Sequence, residues 1–156
     1  METPSEDGEI VQASRVVLAS SRTLFRAFID AETMAGWRTF DGIDLAFSDF
    51  RPQVGGGYRV RLRPNRTTLG PGLPDKLEIA VSFAELAGEE RIVEVISVNS
   101  DVPNLSGTLT LTTTFEPDRD GTKVTLRAQG GPAFLRARNQ DEILASSLRK
   151  LALLTE

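Results

Sequence analysis

The sequence predicts an α+β protein: a curved antiparallel sheet of about six to seven strands gripping a long carboxy-terminal helix, with two short helices after strand one. Three observations predict it. Runs from Asp44 to Gln129 alternate apolar and polar with period two and are separated by short turns. Leu144, Leu148, Leu151 and Ala152 fall at i, i+4, i+7 and i+8, one apolar helical stripe. Leu24, Phe25, Phe28 and Ile29 recur at helical spacing just after a β-branched run.

The elements follow in order. Residues 1–9 are polar and acidic, contain Pro4 and Gly8, and are expected to be a disordered tail; residues 10–156 form one domain. Ile10 to Ala19 reads as the first strand. Ser20 or Ser21 then caps a helix, and Asp30 ends it and caps a second short one through Trp37. In the next strand Leu45, Phe47 and Asp49 share one face, and Ala46, Ser48 and Phe50 the other. Gly55, Gly56 and Gly57 mark a turn where side chains would obstruct the backbone. Tyr58, Val60 and Leu62 then alternate with Arg59, Arg61 and Arg63. Pro64 to Asp75 is a loop by its prolines and glycines.

Strand character returns at Leu77, Ile79, Val81 and Phe83, turns at Gly88 to Glu90, and resumes from Arg91 to Val98. Leu105 to Phe115 has leucines and Phe115 on one face and Thr108, Thr110, Thr112 and Thr114 on the other. Asp118 to Gly121 turns the chain into a last strand of Thr122, Val124, Leu126 and Ala128. Asn139 with Glu142 outlines a capping box for the terminal helix. That single helix must lay its stripe on the sheet.

Composition excludes much chemistry. The chain has 156 residues, no cysteine and no histidine. Disulfides, thiolate nucleophiles and every Ser-His-Asp or Cys-His mechanism are therefore out. The net charge of −4 argues against a duplex nucleic-acid partner. No apolar run approaches the roughly 20 residues that span a bilayer, and the start lacks a secretory pattern, so a cytoplasmic location is expected. Asp41, Asp44 and Asp49 match no calcium-loop spacing, and no metal or cofactor is expected. The glycine run lacks the Gly-Lys-Ser/Thr of a phosphate loop. The Arg59, Arg61, Arg63 stripe is read as a solvent face.

The residues resemble the START-like (SRPBCC, helix-grip) superfamily, and within it the homologues of activators of the heat-shock chaperone ATPase. The likeness rests on Arg15 and Ala19, then Leu24 to Phe28, then Asp30, Ala31, Glu32, Met34 and Trp37. It continues through the Arg51 to Tyr58 turn, the Gly121 to Thr125 hairpin and the Ser147, Leu148, Leu151 and Ala152 helix end. Two departures stand out. Arg38 replaces a second aromatic after the tryptophan, and Glu142, Ile143 and Leu144 replace a Gly-Trp pair.

The resemblance implies a cavity between helix and sheet that binds a hydrophobic or amphipathic small molecule, with no established catalysis. Trp37, Phe40, Phe47, Tyr58, Phe83, Leu109 and Leu148 are the candidate walls, although apolar residues such as these more often form plain core. Glu94 stands between Ile92 and Ile96. In one register it faces inward as a buried carboxylate fit for acid–base work. In the other Val93 and Val95 face inward and Glu94 is solvated, which is the expected arrangement for a charged residue. The alternatives are a cyclase- or dehydratase-like enzyme using that carboxylate or the Tyr58 hydroxyl, and a chaperone-interacting module. A second copy of the chain is also an admissible partner, through an unpaired sheet edge.

Overall fold

The computed structural model describes residues 10–38, 43–64, 77–100, 106–131 and 140–156. In chain order these form β1 (Ile10–Val17), α1 (Ser21–Ile29), α2 (Ala31–Trp37), β2 (Ile43–Arg51), β3 (Gly57–Pro64), β4 (Leu77–Ala87), β5 (Arg91–Ser100), β6 (Gly107–Asp118), β7 (Gly121–Gly130) and α3 (Gln140–Thr155). The amino-terminal tail, Phe40, Asp41, the loop at 65–76, Leu105 and Asn139 lie outside the described residues, as does the side chain of Asp44.

The seven strands make one antiparallel sheet in the order β1-β7-β6-β5-β4-β3-β2. Neighbours from β2 to β7 are joined in sequence, but β1 crosses to pair with β7 at the far edge. The two short helices fill that crossover. The Ser20 hydroxyl accepts from Thr23 N at 3.1 Å and opens α1. Asp30 Oδ2 accepts from Thr33 N at 3.0 Å and opens α2, so one residue closes the first helix and starts the second. The Thr33 bonds hold the Asp30 carboxyl below its ordinary value.

The helical stripe behaves as its spacing requires. Leu144, Leu148, Leu151 and Ala152 are buried in the common core with Val17, Phe28, Phe115 and Leu126. α3 packs along β1 and touches α1 and α2, and Glu156 Oε2 accepts from Leu18 N at 3.0 Å, tying the end of the chain to the end of β1. No helix among the described residues is long and apolar enough to cross a membrane.

One expectation about faces changes. Asp49 was expected to share the face of Leu45 and Phe47. The β2–β3 register instead shifts between Ser48 and Arg51, and Asp49 takes a φ of 51°. This bulge inserts a residue and reverses the phase, leaving Asp49 exposed and turning Phe50 onto the core. Asp is one of the few residues that tolerates this left-handed backbone. On β6 the inward set is Leu109, Leu111, Thr113 and Phe115. Thr113 is buried there, and among the described residues its Oγ1 has no hydrogen-bond partner.

The glycine turn has the anticipated cause. A Cβ on Gly57 would lie 1.8 Å from Val81 O, so only glycine lets β3 approach β4 here. Gly55 N donates to Phe83 O at 3.0 Å, and Phe83 N donates to Gly56 O at 2.9 Å. These bonds fix Tyr58 beside Phe83.

Truncating the stripe tests this arrangement. Leu148→Ala should destabilise the fold by about 2–5 kcal/mol in a urea titration. The same change at Leu153, which is 78% exposed on the same helix, should stay within about 0.5 kcal/mol.

Candidate functional site

Among the described residues, one charged side chain is buried on the inner sheet face, among apolar neighbours. Register places Val11, Ala128, Leu111, Glu94 and Phe83 in a single row across five strands. Glu94 is the only member of that row with a charge, and it is 0% exposed. The expectation that Glu94 is solvated is therefore wrong. Pairing with Leu111 and Phe83 fixes the register, and Val93 and Val95 lie half-buried on the other face.

A carboxylate in this position needs a partner, and Arg38 supplies it. α2 ends at Trp37, where Arg38 N donates to Met34 O at 2.9 Å and the backbone leaves helical geometry. That exit sends the arginine side chain over the sheet. Its Nη1 donates to Glu94 Oε2 at 2.9 Å and its Nη2 to Glu94 Oε1 at 3.0 Å, a two-pronged ion pair. Tyr58 OH donates to Glu94 Oε2 at 2.6 Å. Arg38 Nη1 also donates to Tyr58 OH. The three side chains close a ring of hydrogen bonds around Oε2.

Aromatic rings enclose this cluster. Phe50 stacks on Tyr58 at 5.1 Å between centroids with an interplanar angle of 12°, while Phe47 and Phe83 meet Tyr58 at 5.7 and 5.8 Å. The Arg38 guanidinium lies 5.0 Å from the Trp37 ring centre and 5.6 Å from that of Phe28, where ring quadrupoles favour a cation. Trp37 is itself held by its indole N–H, which donates to Ala27 O at 2.9 Å.

Of the residues singled out from sequence, Phe47, Tyr58, Phe83 and Glu94 meet directly, and Trp37 joins them through Arg38. Leu148 lies in the common core and half-buried Leu109 packs against it; neither is drawn into the charged cluster. Arg59 and Arg61 are exposed, as a solvent face requires. The Arg59–Asp49 pair, at 3.6 Å between two exposed side chains, adds little. Sequence reading missed Arg38 and Phe50 as site residues. The signal for Arg38 was present: a cation directly after an apolar helix end, in a chain with an acid flanked by isoleucines. Phe50 was hidden by the bulge.

Burial shapes the electrostatics. The Tyr58 hydroxyl is pushed well above its ordinary value, first by burial and further by the adjacent Glu94 carboxylate, against the opposing pull of Arg38. Burial works against the Arg38 charge, but Glu94 outweighs it and holds the guanidinium more firmly protonated than in water. The ensemble is a neutral phenol on a compensated ion pair. Among the described residues there is no grouping of acidic side chains suited to a metal.

Comparison with known proteins agrees with this architecture. The family model described as "Activator of Hsp90 ATPase homolog 1-like protein" matches residues 18–156. Protein CV1439 from Chromobacterium violaceum is 24% identical, with 94% of this chain and 96% of that chain covered and a TM-score of 0.79. Mll3558 from Rhizobium loti is 26% identical over 94% and 96%, with a TM-score of 0.68. A protein from Arthrobacter aurescens shares the fold at 12% identity over 99% and 89%, with a TM-score of 0.77. No curated protein matches the chain.

Two measurements probe the cluster. Glu94→Leu should cost about 3–5 kcal/mol in chemical denaturation, because it leaves Arg38 charged and unpaired, whereas the double change Glu94→Leu with Arg38→Met should recover most of that loss. Tyr58 is the single tyrosine of the chain, so phenolate absorbance reports it alone. Its folded-state value is raised above the ordinary 10.0. The associated stability is fully present below pH 10 and is lost as the pH climbs through the folded value. Ultraviolet titration should therefore show no phenolate near pH 10 in the native protein, and a half-titrated phenol near pH 10 in denaturant.

Proposed function

The chain belongs to the family of Activator of Hsp90 ATPase homolog 1-like proteins, and on that premise we propose that it binds an amphipathic small molecule between α3 and the concave sheet face. The polar end of the ligand rests on Arg38, Tyr58 and Glu94, and its apolar body lies among Phe47, Phe50, Phe83 and Trp37.

The observation that carries this reading is the Arg38–Glu94 pair inside the core. A buried ion pair is rarely the most stable way to fill such a space, since apolar residues of the same volume do as well or better. Stability alone gives no reason for it. A polar anchor inside an aromatic shell is what an amphipathic ligand requires, because such sites are mostly apolar with a few converging polar groups. The START-like fold, with one helix laid over a bent sheet, supports the same reading.

The enzyme alternative asks Glu94 to exchange a proton. Both its oxygens accept from Arg38, and one also accepts from Tyr58. With both oxygens committed to neighbouring side chains and no surface exposed, the carboxylate is not presented to a substrate, and this favours binding over cyclase or dehydratase chemistry. The family description names an activator of a chaperone ATPase. Docking on a chaperone would use the outer surface, and it offers no account of the charged interior.

The test is a thermal-shift panel of fatty alcohols, sterols and bicyclic aromatic ketones, alongside native mass spectrometry of the purified protein. A compound at 100 times its dissociation constant adds about 2.7 kcal/mol, a rise of roughly 5–11 °C in Tm for a chain of this size. A flat panel together with the bare chain mass in native spectra would sink the proposal.

A further inference from the structure

We infer that the site selects ligands with an uncharged hydrogen-bond-accepting group, a carbonyl or hydroxyl oxygen, and rejects the corresponding carboxylates; this rests on the binding role proposed above. Three observations carry it. The first is charge compensation. Arg38 and Glu94 already neutralise one another across two hydrogen bonds of 2.9 and 3.0 Å, and the raised Tyr58 phenol stays neutral. The interior therefore offers no net charge to a ligand.

The second is direction. Glu94 is 0% exposed, whereas the Arg38 side chain is 15% exposed. The pair is approached from the arginine side. A guanidinium has five N–H donors, and its bonds to Glu94 and Tyr58 use three of them among the described residues. The two donors outside these bonds call for an acceptor atom, not for a cation.

The third is dielectric. Rings of Trp37, Phe28, Phe47, Phe50 and Phe83 surround the cluster. An incoming carboxylate would lose its hydration there, and Glu94, behind the guanidinium, would offset part of the attraction of Arg38. A ketone or alcohol oxygen gives up far less hydration and still receives the arginine bond. Discrimination by charge is then built into the pairing of Arg38 with Glu94, and removing the glutamate charge removes it.

A near-isosteric pair of probes tests this, namely 2-acetylnaphthalene and 2-naphthoate, titrated into the full chain by calorimetry at pH 7. The wild type should bind the ketone at least tenfold more tightly than the acid. In Glu94→Gln, which keeps the shape but frees the Arg38 charge, the ketone-to-acid ratio should move at least tenfold toward the acid. Acid binding in the wild type as tight as ketone binding, or an unchanged ratio in a folded Glu94→Gln protein, overturns the selectivity while leaving the binding role intact. If Glu94→Gln does not fold, the wild-type ratio decides alone. Failure of both probes to bind the wild type, with the wider panel also flat, overturns the binding role and the selectivity together.

Discussion

A carboxylate with no access to water governs the arrangement of this protein. Transfer of an ion from water to a protein interior costs several kcal/mol even after relaxation, so Glu94 in the middle of an apolar row dictates what surrounds it. Arg38 must reach it, which requires α2 to end at Trp37 and to present the residue that follows to the sheet. Tyr58 must reach it too, which requires β3 to leave the glycine turn with its first side chain inward. The phenylalanines then screen the cluster. Helix length, turn chemistry and the β2 bulge are separate local events, yet each serves the same ion pair.

Much of the fold was legible because it follows from periodicity. The α3 stripe, the cap at Ser20, the shared cap at Asp30 and the β7 alternation each report a local rule, and each appears as read. Gly57 was legible for the same reason: three adjacent glycines before a strand announce that backbone must pass close to backbone. The site was less legible. Ile92 to Ile96 is apolar on both sides of Glu94, so period two has no contrast to lock onto. The face of Glu94 is set by pairing with residues 17 positions away at Leu111 and 11 positions away at Phe83, and those registers depend on turns and bulges. The bulge at Asp49 leaves no composition signal, and it exchanged Phe50 for an acid at the aromatic wall.

Arg38 and Glu94 are also an instance of two unusual residues explaining each other. An arginine at the end of a helix packed into the core is anomalous when read alone. An acid on an inward strand face is anomalous too. Joined, they form a closed unit whose guanidinium lies against the rings of Trp37 and Phe28. Thr113, one row away on the same face, has no such explanation among the described residues; its hydroxyl is buried and unmatched.

The crossover that takes β1 to the far edge has a consequence for synthesis. Residues 10–17 pair with residues 122–129, so β1 waits during synthesis for β7 to follow. At roughly 5–20 residues per second that interval is about 6–20 s. Val11, Val16 and Val17 have no sheet partner until it has passed. The pairing that closes this side of the sheet is thus the one that joins its two most distant strands along the chain.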